Sequence, residues 1–274
     1  PAAAQAFAAT LGAHLGALAT RSPAECAGLL RRATTELSMD RHPDMLAAFW
    51  RALLPQLRQA GLLETAAGAD LLSAALSPQP ALALHGSRFH PGACLSSLMS
   101  AAIEAAPPFP ATTAQWLTGI CGRMTQGRLA MPSGPPADHL LMSPLLRRGE
   151  QDPALPLAAW ARGFTEGLAG RDDLASRLAW MMGGIALDVG RIDGARTQAL
   201  AEALTLGLGD GPDSAALWMG TVLRMAPQLP EARVEHFVQG CAQGLGAAGV
   251  APDVLSAVAR AVVANPGLIL ADEP

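Results

Sequence analysis

The 274 residues carry 19 basic and 23 acidic side chains, a net charge of −4, and half of them are hydrophobic. That composition excludes wholesale disorder, and the lack of any basic run argues against nucleic acid as a main partner. The hydrophobic share comes mostly from Ala and Leu, aromatic residues make up only 4%, and Tyr is absent. Ala and Leu favour helix while the aromatic and β-branched residues favour sheet, so the expectation is an all-α chain with no sheet.

In chain order, the first stretch places Phe7, Leu11, Leu15 and Leu18 on one helical stripe. It has no basic n-region and no defined cleavage site, so it does not read as a classical signal peptide. The first residue is Pro rather than Met, which reads as a processed product or a piece of a longer chain. Ser22-Pro23-Ala24-Glu25 is a capping box with Pro at the first helical position and predicts a helix through Leu29, Leu30 and Leu37. His42-Pro43-Asp44 opens the next, with Leu46, Phe49, Trp50, Leu53, Leu54 and Leu57 on its apolar side and Gly61 at its end. A shorter helix is expected over 62–77, stopped by Pro78 and Pro80.

His85-Gly86-Ser87-Arg88-Phe89-His90 reads as a loop before a helix over 91–106. Pro107-Pro108-Phe109-Pro110 is a stiff connector to a helix holding Trp116, Ile120 and Met124. A second break at 132–136 precedes a helix with Leu140, Leu141, Leu145 and Leu146. Beyond Gly149, helices are predicted near 153–169, 172–189, 193–208, 213–226, 230–245 and 252–264, separated by Gly and Pro. No segment reads as a membrane span, since longer uncharged stretches such as 105–122 are broken by proline.

An aromatic followed closely by glycine recurs: Trp116 with Gly119, Trp160 with Gly163, Trp180 with Gly183, Trp218 with Gly220, and Phe237 with Gly240. A small residue beside a large one lets a neighbouring helix come close while the ring fills the next gap. Trp160 to Trp218 is 58 residues and Trp180 to Phe237 is 57, which suggests a three-helix unit repeated twice. The 44 residues from Trp116 to Trp160 do not extend that period. The expected organisation is therefore a less regular helical region over 1–150 and a helical-repeat region over 151–274. Together they make an α-solenoid-like array of antiparallel helices, either as two regions or as one continuous domain. Gly163–Gly167 and Gly240–Gly244 fit GxxxG, read here as close helix contact.

Candidate chemistry centres on Cys94, within the first turn of a predicted helix, where backbone donors and the helix dipole favour a thiolate. As a nucleophile it would need a His base, and His85, His90, His139 and His236 are available, with Asp138, Asp188 and Asp193 to orient one. Nothing in the spacing selects a partner, and His90 and His85 are its sequence neighbours. His85, His90 and Cys94 also form H-x4-H-x3-C, which matches no common zinc framework, so no metal and no cofactor are expected. Cys26, Cys94, Cys121 and Cys241 form no CxxC and imply a reducing compartment. In Asp188-Val189-Gly190-Arg191-Ile192-Asp193, Asp193 is expected to cap a helix and Asp188 to face solvent. The aromatics and Met181, Met182, Met219 and Met225 are expected in the core. No phosphate loop, dinucleotide fingerprint or nucleophile elbow is present.

The chain contains no Lys, and Asn265 is its only Asn. Codon bias accounts for that simply; a sharper account is a protein without side-chain sites for ubiquitin, delivered by a bacterium into a host cell. The functional expectation is a protein–protein interaction scaffold, in the bacterial cytoplasm or exported, that binds a host protein as an effector. A cysteine-dependent hydrolase or acyltransferase is the alternative, and a small-molecule-binding helical bundle the third.

Overall fold

A computed structural model describes residues 2–39, 43–77, 91–125, 137–209 and 211–249. Among them lie twelve α-helices and no strand. The chain divides into two compact units, residues 1–144 and 145–274.

The first unit holds α1 (Ala2–Arg21), α2 (Pro23–Met39), α3 (Pro43–Gln59), α4 (Ala66–Leu76), α5 (Pro91–Glu104) and α6 (Pro110–Thr125). The starts at Pro23, Pro43, Pro91 and Pro110 follow from proline's missing N–H and fixed φ, both harmless in a first turn. Gly61 stops α3 with φ of +68°, a conformation that costs a side-chain-bearing residue about 1 kcal/mol or more. Helices two apart in sequence pack on one another: α1 on α3 on α5, and α2 on α4 on α6. That makes two layers of helices. Leu15, Leu30, Phe49, Trp50, Leu53, Leu57, Leu72 and Leu98 are fully buried within it.

Of the described helices only α1, 20 residues with a mean hydropathy of 1.2, is long and apolar enough to cross a membrane. In this fold it packs against α3 and α2, with Ala8 and Leu15 wholly buried.

The two units divide inside α7 (Ala137–Gln151). The second unit continues with α8 (Leu157–Glu166), α9 (Leu174–Asp188), a 3₁₀ turn over Val189–Arg191, α10 (Gly194–Gly207), α11 (Pro212–Met225), a second 3₁₀ turn over Ala226–Gln228 and α12 (Glu231–Ala247). The predicted helix over 252–264 lies outside the described residues. Here too α8, α10 and α12 stack in one layer and α9 and α11 in the other. The repeat is therefore a helix pair, and the three-helix unit is corrected. Leu157, Gly194 and Glu231, the first residues of α8, α10 and α12, stand 37 apart.

The 37-residue shift superimposes burial. Met181, Met182, Ile185 and Ile192 are buried, and so are Trp218, Met219, Val222 and Leu229. In this register Trp180 corresponds to Leu217 and Met181 to Trp218, so the expected pairings of Trp160 with Trp218 and of Trp180 with Phe237 do not hold. Trp218 is fully buried and Trp180 is 45% exposed, so the expectation that every aromatic of the motif sits in the core fails at Trp180. The physical reason is a one-residue slip: a helix turns 100° per residue, enough to carry a side chain from the core edge to solvent.

The glycines of the motif also divide. A Cβ on Gly240 or Gly244 would collide with α10, at the Gln198 carbonyl and at Thr205 and the Glu202 carbonyl, so these two do provide close helix contact. Gly119 has only its own helix's Arg123 beside it, and Gly220 faces open space. Gly163 is buried and Gly183 half-buried.

Candidate functional site

Cys94 lies in the first turn of α5, as the sequence reading placed it, but its side chain is fully buried. Burial pushes the thiol up to about 12, against a smaller opposing effect of its hydrogen bond with Thr34. Thr34 on α2 is itself buried and donates to the Leu30 and Arg31 carbonyls, 3.0 Å each. Desolvation thus outweighs the helix dipole, the reverse of the sign expected for a nucleophile. The proposed partners His85 and His90 lie outside the described residues, as do the side chains of Asp138 and His139.

Cys241 is built in the same manner: buried, its thiol pushed up to about 12, with hydrogen bonds from Thr205 and Trp218 opposing the rise. The Trp218 indole donates to the Thr205 hydroxyl (2.9 Å), which donates to the Ala201 carbonyl (2.8 Å). Both cysteines pack a polar seam between helices.

Asp193 caps α10 by accepting from the Arg196 amide at 2.8 Å, as expected. Asp188 does not face solvent. Its side chain is buried, accepts from Arg191 at 2.6 Å and pairs with Arg147 at 3.4 Å. Arg191 also reaches Glu150 at 2.9 Å, so the network fastens the end of α7 to the turn after α9. Asp188 and Glu150 are both paired with arginine, so the cluster anchors these elements to one another. Among the described residues no group of three or more His, Cys, Asp and Glu could hold a metal ion.

An open groove of about 400 Å³ lies in the first unit, formed by α1, α2 and the start of α3. Three of its lining residues are small: Ala3, Ala4 and Ala33. Its walls are Phe7, Leu29, Leu37 and Met45, and Arg32 and Glu36 complete the lining. Leu29, Ala33 and Leu37 fall at i, i+4 and i+8, one face of α2. Phe7 is 48% exposed and Leu29 41%. The Phe7 ring is held in place by stacking on buried Phe49, centroids 6.2 Å apart, which meets Trp50 edge-on at 5.3 Å. An apolar wall is thus rigidly supported from the core while its outer surface stays in water. Among the described lining residues Arg32 and Glu36 are the charged groups, and the rest of the surface is apolar, suited to binding.

Sequence reasoning placed Phe7 on a stripe and did not single out the groove. The available signal was Leu29, Ala33 and Leu37 at one-turn spacing on α2. The sequence matches no protein-family model and no curated protein.

Proposed function

We propose that this chain is a protein–protein interaction scaffold whose groove between α1, α2 and α3 takes the apolar side of an amphipathic helix from another protein. The observation that supports it is that Phe7 and Leu29, both half-exposed, line one groove together with small residues. Helix-in-groove recognition uses such a surface, with anchors of the incoming helix spaced one turn apart. Arg32 and Glu36, one turn apart and opposite in sign, orient a helix that carries an acidic and a basic residue at the same spacing.

Selection of helical peptides from a display library on the purified chain tests this reading. Expected binders carry apolar residues at i, i+4 and i+7, and Leu29→Glu weakens them at least about tenfold. An empty selection, or binders indifferent to Leu29→Glu, would overturn it.

A second reading is favoured by the groove's volume, which lies in the range of roughly 300–1,000 Å³ typical of small-ligand sites. An apolar reporter dye that binds stoichiometrically, and that selected peptides do not displace, supports a small-molecule bundle instead. The hydrolase or acyltransferase reading has the weakest support, since the Cys94 thiol is buried and kept protonated.

The effector reading rests on the absence of Lys alone. Expression in a eukaryotic cell with and without proteasome inhibition tests it, and strong ubiquitin-dependent turnover counts against it.

A further inference from the structure

The outer surface of the second unit's α9–α11 layer is apolar where a helical array ordinarily places charge. Trp180 is 45% and Leu187 70% exposed on α9. One repeat later, Leu217 is half-exposed and Gly220 exposed on α11. The opposite layer is polar by contrast, with Arg162 paired to Glu166, Gln198 to Gln243 and Gln239 to Glu235. The bare face carries its own complement. Each helix presents a bulky residue and, three positions on, a glycine: Trp180 with Gly183, and Leu217 with Gly220. A Cβ on Gly220 would meet nothing within 4 Å, so that hollow is open to solvent. On α11 the same face begins at exposed Asp213 and ends at exposed Arg224.

We infer that this face is a self-association surface that takes a second copy of the chain, antiparallel, about a two-fold axis. Let the axis lie in the face and cross α9 midway between Met181 and Met182. One repeat on, it crosses α11 midway between Trp218 and Met219. Trp180 of one copy then lies over the partner's Gly183, and Leu217 enters the hollow at the partner's Gly220. In the same register Asp213 meets the partner's Arg224, and the reciprocal pair forms at the other end. One axis satisfies all three pairings because bulk, hollow and charge are placed symmetrically about it. Such an isologous contact closes on itself, so the assembly stops at two. Two helices of about 15 residues offer a face roughly 22 Å long and 20 Å wide. That is a small interface, so a weak dimer is expected. This surface is separate from the groove reading and does not rest on it.

Sedimentation velocity of the full chain from about 5 to 500 µM tests the proposal. The expected result is a monomer–dimer equilibrium with no larger species. Gly220→Leu, which adds bulk where the monomer has open space, should weaken dimerisation at least tenfold. Asp213→Arg and Arg224→Asp should each weaken it, and the double exchange should restore it to near the starting affinity. Circular dichroism confirms that each variant is folded. A chain monomeric at every concentration overturns the proposal. So does a dimer indifferent to Gly220→Leu, or one that the double exchange fails to restore.

Discussion

Arg196 and Arg233, 37 residues apart, clamp carbonyls that are themselves 37 residues apart: Arg196 donates to Leu155 O at 3.4 Å and Arg233 to Ile192 O at 2.8 Å. Each sits in the first turn of its helix and satisfies the backbone just before the preceding helix of the same layer. Arg196 also donates to Gly149 O (2.5 Å) and Asp152 O (3.4 Å). The pair is the clearest mark of the repeat, because it preserves an interaction and not only a residue type.

Arg196→Ala should therefore cost more than Arg233→Ala. Removing Arg196 strips three carbonyls of a charged donor, Arg233 one inter-element carbonyl. About 2–3 kcal/mol is expected for the first and about 1 kcal/mol for the second, since both sites keep some access to water. Urea unfolding midpoints at matched slope would show the order, and equal losses would contradict it.

Two glycines of the recurring motif should respond with opposite sign. Gly240→Ala places a methyl against the Gln198 carbonyl and the Ala201 side chain, forcing α12 away from α10. A loss of about 2–4 kcal/mol is expected. Gly220→Ala meets nothing and gains helix propensity, so it should stabilise by up to about 1 kcal/mol. Thermal unfolding of the two variants side by side is the measurement.

Burial raises the Cys94 and Cys241 thiols from 9.0 to about 12. The native state thus keeps protons that the unfolded chain loses above pH 9. The stability involved is fully present below pH 9 and falls as pH rises toward 12, by about 1.4 kcal/mol per pH unit for each thiol. Cys94→Ala with Cys241→Ala should flatten that alkaline slope. In the native chain, thiol reagents should modify these two positions only as fast as the protein opens, with no reactive thiolate near neutral pH.

Trp180 should be the one indole open to solvent. Trp50, Trp160 and Trp218 are at most 1% exposed and Trp116 6%, against 45% for Trp180. Its indole donates to the Ser176 hydroxyl at 3.2 Å, which steadies the ring at the surface. Acrylamide should quench one component of the fluorescence, and Trp180→Phe should remove that component with little change in stability. A residual quenchable component would place a second indole in water.

The all-helical class and most helix limits were legible in the residues. Proline in first turns and glycine at stops act through local sterics, which need no tertiary partner: α2, α3 and α5 start at their predicted prolines, and Gly61 ends α3. The shift at α8, expected from 153 and begun at Leu157, has a local cause as well. Pro156 disfavours the helical conformation at Leu155.

The repeat was only half legible. Aromatic spacing suggested one, but it paired Trp160 with Trp218 and Trp180 with Phe237, which stand on helices of different layers, and only the helix contacts give the 37-residue register. Cys94 was placed correctly in its helix and assigned the wrong electrostatics, because a helix dipole is visible in sequence and desolvation by the packing of α5 on α3 and α2 is not.

By itself, then, the sequence determined what is local: helix type, helix ends, the cap at Asp193 and the absence of strands among the described residues. The tertiary structure alone decided which helices are neighbours, that the repeat is a pair of helices, that Asp188 is buried, and that Phe7 and Leu29 share a groove. Those facts depend on contacts between residues far apart in the chain. A 100° step per residue converts a one-position ambiguity into a change from core to solvent, so no reading of spacing alone could settle them.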